Sequence, residues 1–511
     1  MLTVSGIFER NARCFPEREA WVCGDTRMTH AQYASRARRL ASGLHGLGMR
    51  RQDRVAILAT NCLEYYEAYA AAEYGAFILV PVNYRLAAAE VVHVLRDSGA
   101  SALIFEPAYA AMVATLRAQA PGVAHYVQIG AAAEGVHAYE SLLASGDEAG
   151  PPVRPTQDDF ALIWYTSGTT GKPKGVPWRH HALVGTAQMN ARVSELERDS
   201  RLLQTTPAFH IGGRGYVLGS AWDGGCTVLH KQFDPVAMLR TIQQERITHT
   251  FMVAAMVQAV LAVPDVQSYD LSSLRNVFSA AAPIPVPVLK RAIELMGPVF
   301  SIQYGCTELG QITALPRVGV NPYGDDKAIA RLASVGHPVT EIECRLIDDD
   351  GRECPPGKPG EVIVQSPTML EGYWNNSAAT LEAIRDGWYH TGDIGVQDEQ
   401  GYVFLIDRKK DMIISGGENI YSREVEEALA AHPDVADCAV IGVPDPKWVE
   451  AVKALVVVRP GGKLTQEVLI EHCRTLIARY KCPRSVDFVD ELPRLATGKL
   501  DKPTMRARYK S

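Results

Sequence analysis

The 511-residue chain lacks an excess of charge of either sign: 52 basic residues face 58 acidic ones, for a formal net charge of −6. That balance excludes the electrostatic footprint of a nucleic-acid or anionic-membrane binder. Its ten cysteines form no Cys-x-x-Cys pair and no Cys/His cluster with zinc spacing. They read as small apolar residues in a reducing, cytoplasmic compartment. No uncharged apolar run is long enough to span a bilayer. The first residues, Met1 to Arg10, lack the basic start and long apolar stretch of a signal peptide. Internal repeats and low-complexity linkers are also missing. What is present is ordinary for a soluble globular protein, 47% apolar and 22% charged. The length is too great for one core, so two or more domains are expected.

Short apolar runs alternate with helical patterns through the first two-thirds of the chain. Val55 to Leu58, Ala102 to Phe105, Ala161 to Trp164 and Val299 to Ile302 predict buried strands. His30 to Leu47 and Pro235 to Glu245 predict helices between them. This alternation implies an α/β fold with parallel sheets covered by helices. After about Pro338 the strands shorten and alternate, as in Glu341 to Ile347 and Glu361 to Val364, with Asp-Gly and Pro-Gly turns. They predict a small antiparallel sheet or barrel. The last hundred residues predict an α+β unit. Its clearest helix runs from Thr465 to Tyr480, with Thr465 as N-cap and Val468, Leu469, Cys473, Leu476, Ile477 and Tyr480 on one apolar face. Between these parts, "DRKKDMIISGGEN" (Asp407 to Asn419) reads on composition as a solvated turn followed by an edge strand.

"YTSGTTGKPKGV" (Tyr165 to Val176) follows a predicted strand, and ten of its twelve residues are Gly, Ser, Thr, Lys or Pro. Glycines let consecutive N–H groups converge, hydroxyls add donors and lysine adds charge, a combination that suits phosphate. An ordinary exposed turn has the same composition. The P-loop of NTPases is excluded, because Gly171-Lys172 is followed by Pro173 and the position five before Gly171 is Thr166.

The loop closely resembles the signature of the adenylate-forming superfamily, which includes acyl-CoA synthetases, luciferases and peptide-synthetase adenylation domains. "TPAFHIGG" (Thr206 to Gly213), "SAAAP" (Ser279 to Pro283), "QYGCTELG" (Gln303 to Gly310), "DGWYHTGDIG" (Asp386 to Gly395), "DRKKDMIISGGENIYSREVE" (Asp407 to Glu426) and "PRLATGK" (Pro493 to Lys499) follow in that family's order. The resemblance covers essentially the whole chain and points to the carboxylate–CoA ligase branch. It implies a large N-terminal domain, 1–407, with two parallel-rich sheets and a small antiparallel barrel-like subdomain. A hinge at 408–410 and a small mobile α+β domain, 411–511, would follow.

The resemblance also implies roles. A carboxylate meeting the α-phosphate of ATP is anion against anion, so the site must neutralise charge and align the reactants. Thr166, Ser167, Gly168, Thr169, Thr170, Gly171 and Lys174 would cradle the β- and γ-phosphates. Glu308 would hold Mg²⁺, with Thr307 beside the α-phosphate. Tyr304, next to Gln303, would stack on adenine, opposite Ala281, Ala282 and Pro283. Asp393 would accept from the ribose hydroxyls with help from Arg408, and Lys499 would reach the attacking carboxylate. Rotation about Lys410 would then bring in Gly416 and Gly417 to line a pantetheine tunnel for coenzyme A, flanked by Trp448. Taken alone, Tyr304 reads as a core aromatic, Glu308 as a surface acid, Asp393 as a turn residue and Lys499 as a solvated lysine.

The implied acyl pocket comprises His210, Ile211, Gly212, Met256, Phe278, Ala280, Gly305, Gly310 and Gln311. His210 stands where related synthetases have an aromatic or histidine gate. The lining is mostly small and apolar without Lys or Arg, so an uncharged hydrophobic acid is expected, aliphatic or aromatic. Two departures stand out: Val449 where the family commonly has Gly, and Trp178-Arg179 where an aliphatic and Ser or Thr are usual. ATP, Mg²⁺, coenzyme A and a small carboxylic acid are the expected partners, with no nucleic acid and no membrane span; a homodimer is left open. A stand-alone enzyme loading a carrier protein and a non-catalytic acyl or nucleotide sensor are the alternatives.

Overall fold

The helix His30–Gly46 shows how locally the elements are specified. The Thr29 hydroxyl accepts from the Gln32 N–H, and the Gln32 side chain accepts from the Thr29 N–H, a reciprocal cap on two otherwise orphaned donors. At Pro235–Gln244 the cap is one-way: Asp234 Oδ1 accepts from the Ala237 N–H, and Pro235 stands at a position that has no use for an N–H. The computed structural model describes residues 3–166, 173–280, 284–415, 418–495 and 499–509. Contacts divide the chain into two compact units, Met1–Glu343 with Gln365–Tyr389, and Cys344–Val364 with His390–Ser511.

The first unit is α/β and holds two sheets. A seven-stranded sheet runs in spatial order His137–Ala138, His125–Gln128, Ala100–Phe105, Arg54–Leu58, Ile78–Pro81, Phe160–Thr166 and Lys174–Arg179. All its neighbours are parallel except the last pair, which is an antiparallel hairpin. The second sheet is nine-stranded, with a parallel centre that includes His249–Phe251, Asn276–Ser279 and Phe300–Cys306. Gly310–Leu315 turns back antiparallel on Phe300–Cys306. Central strands such as Arg54–Leu58 and Ala100–Phe105 are buried nearly throughout, which explains their unbroken apolar runs.

The second unit is built differently. It holds most of Gly360–Gln365 and Trp388–Gln397, with Val403–Arg408, strands of a five-stranded sheet in which the last two pair antiparallel. A further sheet centres on the long hairpin Val435–Asp445 and Val449–Val458. Its core includes Ile413, Val425, Leu429, Leu469 and Cys473. Two expectations are corrected here. The helix after Thr465 spans Gln466–Leu476 and stops because Ile477 is extended, at φ −131° and ψ 162°. Leu469 and Cys473 are buried, but Val468, Leu476 and Tyr480 are exposed, so the expected apolar face is narrower. Ile413–Ser415 is not an edge strand: it pairs with Glu418–Ile420 on one side and, through Ser415, with Val449 on the other. No helix among the described residues is long and apolar enough to cross a membrane.

Candidate active site

Thr166 and Lys174 face each other as the last pair of the hairpin Phe160–Thr166 and Lys174–Arg179, so the glycine-rich loop begins and ends at one point of the sheet. Ser167, Gly168, Thr169, Thr170 and Gly171 lie outside the described residues, as do Ala281, Ala282, Pro283, Gly416 and Gly417. The loop's root is fixed on both sides. The Tyr165 hydroxyl donates to Asp97 Oδ2 at 2.6 Å, and burial followed by that carboxylate raises the Tyr165 pKa, keeping the phenol protonated. Gly175 is needed, because a Cβ there would lie 2.9 Å from the Trp374 Cβ and 3.0 Å from Ile163.

A second hairpin supplies the acid. Phe300–Cys306 and Gly310–Leu315 are joined through Thr307, Glu308 and Leu309, with Cys306 opposite Gly310. Gly310 takes a left-handed φ of 80°, and a Cβ on Gly305 would lie 2.1 Å from the Gly310 carbonyl. The tip is pinned from the other sheet by Trp178, whose Nε1 donates to the Thr307 carbonyl at 2.9 Å, and from a loop by Leu370, whose N–H donates to the Glu308 carbonyl at 2.9 Å. Glu308 itself is buried, and its Oε1 accepts from the Tyr373 hydroxyl at 2.9 Å. The Lys174 ammonium lies 4.3 Å from the centre of that same ring. Thus Lys174 and Glu308, 134 positions apart in sequence, meet on one tyrosine. A lone buried carboxylate beside hydroxyls fits the donor set of a Mg²⁺ ion that takes most of its ligands from water and phosphate.

Behind the hairpin, Tyr304 and Gln303 are both buried. The Gln303 amide accepts from the Tyr216 hydroxyl at 2.8 Å and donates to Ser194 Oγ at 3.1 Å, so that side chain is engaged in the interior. Tyr216, Phe251 and Phe278 form an aromatic cluster, with Tyr216 4.3 Å from Phe278 and 5.4 Å from Phe251 between ring centres. Met256 and Gln311 are buried too, the latter donating to the Thr313 carbonyl. Ala280 is half-buried and Gly305 exposed. His210 and Ile211 are half-buried, and His210 N-caps the helix Ile211–Asp223 with its ring 4.5 Å from Phe209. No atom lies within 4 Å of a Cβ placed on Gly212, whereas one on Gly213 would meet the Pro207 carbonyl at 2.1 Å. Tyr66 and Tyr69 hold this loop from below by donating to the Gly213 and Ala208 carbonyls at 2.9 and 3.0 Å.

The second unit brings together Asp393, Arg408, Lys410 and Lys499. Asp393 and Arg408 are opposite one another on paired strands, and Arg408 Nε lies 3.0 Å from Asp393 Oδ1. The Asp393 N–H donates to Thr391 Oγ at 3.0 Å, which sets the carboxylate's backbone. After Arg408 the chain turns at once, with the Asp411 and Met412 N–H groups both donating to the Arg408 carbonyl. Lys410 stands at this turn. Desolvation lowers its pKa below the ordinary lysine value, aided by Arg408, Arg506 and Lys499 and opposed by Asp411. Lys499 is exposed, and its carbonyl accepts from Leu495 N at 2.8 Å. Trp448 is half-buried, with the Arg484 guanidinium 4.5 Å and the Lys447 ammonium 4.8 Å from its ring.

A sequence profile of the AMP-binding enzyme family matches residues 8–374, and one of the AMP-binding enzyme C-terminal domain matches 424–499. The chain belongs to the AMP-binding enzyme family. It is an AMP-forming acid–thiol ligase, as the motif resemblance implied. A feruloyl-CoA synthase from an Amycolatopsis species is 41% identical over 98% of both chains. An indoleacetate–CoA ligase from Aromatoleum aromaticum is 39% identical, covering 96% of this chain and 94% of its own. The crystal structure of the anthranilate CoA ligase AuaEII with anthranoyl-AMP superposes with a TM-score of 0.90 at 29% identity, over 99% of this chain and 97% of that one. In this AMP-binding enzyme, sequence reasoning missed Tyr373 and its neighbour Tyr389, whose hydroxyls lie 3.2 Å apart. Tyr389 lies within the motif Asp386 to Gly395 without a role assigned to it there, and nothing local marks Tyr373. Tyr216 was likewise missed, although it follows the Phe-His-Ile-Gly-Gly motif by three residues.

Proposed function

We propose that this enzyme is an ATP-dependent carboxylate–CoA ligase for an uncharged aromatic acid, acting through an acyl-AMP to give acyl-CoA, AMP and pyrophosphate. The observation that carries the aromatic reading is the Tyr216–Phe251–Phe278 cluster, which lies beside the strand of Gln303 and Tyr304. Aromatic faces attract a flat ring in offset or edge-on geometry, beyond what area burial alone gives. The feruloyl, indoleacetate and anthranilate ligases support the same choice. A second carboxylate on the acid would be left unpaired, since the proposed lining has neither Lys nor Arg.

Residues Thr166 to Gly171 and Lys174 bind the β- and γ-phosphates, a role that their hydroxyls, glycines and cation suit by composition. Glu308 holds Mg²⁺, which neutralises charge on the phosphates, and Thr307 lies beside the α-phosphate. Asp393, steadied by Arg408, accepts from the ribose hydroxyls. Lys499 neutralises the approach of carboxylate to phosphate. Domain 411–511 then rotates about 408–410, removes Lys499 and lines the thiol's path with Gly416 and Gly417 beside Trp448. His210 borders the acyl pocket, and the open space at Gly212 gives the ring room.

A pyrophosphate-release screen across benzoates, cinnamates, arylacetates and medium-chain fatty acids, with and without coenzyme A, tests this reading. The expected result is fastest turnover with an uncharged aromatic acid, and thioester only when coenzyme A is supplied. Faster turnover with aliphatic acids rejects the substrate class. Adenylation without any thioester points to a carrier protein as acceptor, and no pyrophosphate with any acid rejects the ligase.

A further inference from the structure

Tyr373 lies where three distant segments are stitched together. The Trp374 N–H donates to the Gly175 carbonyl at 2.8 Å, the Leu370 N–H donates to the Glu308 carbonyl at 2.9 Å, and the Tyr373 N–H donates to Thr380 Oγ at 2.9 Å. The strap 370–374 therefore holds the exit of the glycine-rich loop and the acidic hairpin tip at once, with one buried side chain between them. Its hydroxyl lies 2.9 Å from Glu308 Oε1 and 3.2 Å from the Tyr389 hydroxyl. A carboxylate can only accept, and a phenol has one proton. The order is thus fixed: Tyr389 donates to Tyr373, and Tyr373 to Glu308. The ring's face carries the Lys174 ammonium, 4.3 Å from its centre. Lys174 and Glu308 are opposite charges in a half-buried place, yet among the described ion pairs none joins them.

We propose that Tyr373 is a positioning residue of the adenylation site: its hydroxyl aims the Glu308 carboxylate, and its ring holds Lys174 apart from that carboxylate. Without the ring, the two charges would close on each other, and each would be lost to its ligand, a divalent cation for Glu308 and a phosphate for Lys174. A cation–π contact holds the lysine more weakly than an ion pair would, so an arriving phosphate can lift it off. This inference rests on the roles of Glu308 and Lys174 given above.

The test uses the full-length enzyme, a non-hydrolysable ATP analogue measured calorimetrically, and Mn²⁺ binding in the presence of that analogue measured by electron paramagnetic resonance. Tyr373→Phe keeps the ring and removes the donor. It should weaken Mn²⁺ binding about tenfold, the scale of one hydrogen bond to a charged group, and leave metal-free analogue binding unchanged. Tyr373→Leu should weaken metal-free analogue binding as well, and adding Glu308→Gln to it should restore that binding by removing the carboxylate that captures Lys174. Such rescue is not expected of a residue that merely packs. Wild-type Mn²⁺ affinity in Tyr373→Phe, or failure of the double variant to recover, overturns the inference. Glu308→Gln alone separates the two levels. If it weakens Mn²⁺ binding while Tyr373→Phe does not, only the positioning role falls; if it leaves Mn²⁺ binding intact, the metal role of Glu308 falls and the inference with it.

Discussion

Glu308 and Lys499 are both assigned to the same chemical step, and their surroundings could hardly differ more. Glu308 stands at a hairpin tip pinned by Trp178 and Leu370, buried, with a tyrosine hydroxyl on its carboxylate. Lys499 stands exposed on the second unit, in a short bridge between Arg494 and Leu500. A group that must be in place for every nucleotide is built into the sheet framework and loses little order on binding. A group proposed to act in one half-reaction and leave for the next stands at the surface of a small unit. The contrast is one of preorganisation against exchange.

The largest expected effect breaks the exposed half alone. Lys499→Ala should slow acyl-AMP formation by about 10²–10³, the scale for losing one preorganised charge stabiliser, while thioester formation from supplied acyl-AMP stays near wild type. Rapid-quench measurement of each half-reaction checks this, and equal losses in both would contradict the division. Lys410→Pro makes the reciprocal cut. The turn depends on the N–H groups of Lys409, Asp411 and Met412, and a proline at 410 fixes its own φ and pushes Lys409 towards extended backbone. Adenylation should continue and thioester formation fall by about tenfold or more, on the scale of 1–3 kcal/mol for a strained backbone step. Unchanged thioester turnover would move the hinge elsewhere.

The same contrast explains what was legible in the sequence. The fold class could be read from apolar runs because strands such as Ala100–Phe105 are buried on both faces and need no partner to be recognised. Glu308, Asp393 and Lys499 could be named only through motif order. By local pattern Glu308 is a surface acid, and it is buried because Trp178, Leu370 and Tyr373, all distant in sequence, close over its hairpin. Tyr373 was not legible at all, since its role depends on contacts with Glu308 and Lys174, 65 and 199 positions away. The helix after Thr465 was read as too long because periodicity continues past Ile477, where the backbone has already become extended. The strand at Ile413 looked like an edge because its second neighbour begins at Val449, beyond any local window.

Acid should separate the halves next. His180 and His249 lie in the first unit, fully buried, and burial lowers the pKa of each to about 4. The Val4 N–H donates to His180 Nδ1, and His249 Nε2 faces the Glu195 carbonyl, so both rings are built in as neutral imidazoles. The unfolded chain takes up these protons near pH 6.5 and the native one only near 4. Stability contributed by the neutral rings is therefore complete above pH 6.5 and falls as the pH drops towards 4, on the order of 2–3 kcal/mol for each. Urea titrations at pH 7.5, 5.5 and 4.5 should show that decline, shallower in His249→Gln. A flat profile between 7.5 and 5.5 would contradict it.

The smallest effect concerns backbone strain, compared at one hairpin of each unit. In the first, Gly310 takes the left-handed conformation at the active-site hairpin. In the second, the hairpin Val435–Asp445 and Val449–Val458 turns through Pro446, Lys447 and Trp448, with Asp445 Oδ1 accepting from the Lys447 and Trp448 N–H groups at 2.9 Å each. A three-residue turn of this kind calls for a left-handed residue next, usually glycine. Val449 fills the place at φ 72°, the β-branched member among the described non-glycine residues with positive φ, and 71% of it is exposed. Its isopropyl group gains almost no burial to offset the left-handed backbone, which costs about 1–2 kcal/mol. Glycine would relieve that cost and give back part of it as unfolded-state freedom. Val449→Gly should therefore raise stability by about 0.5–1 kcal/mol, read as a higher urea midpoint at unchanged slope. A variant no more stable than wild type would mean that Ser415, paired opposite Val449, already holds this turn so firmly that the strain is not felt there.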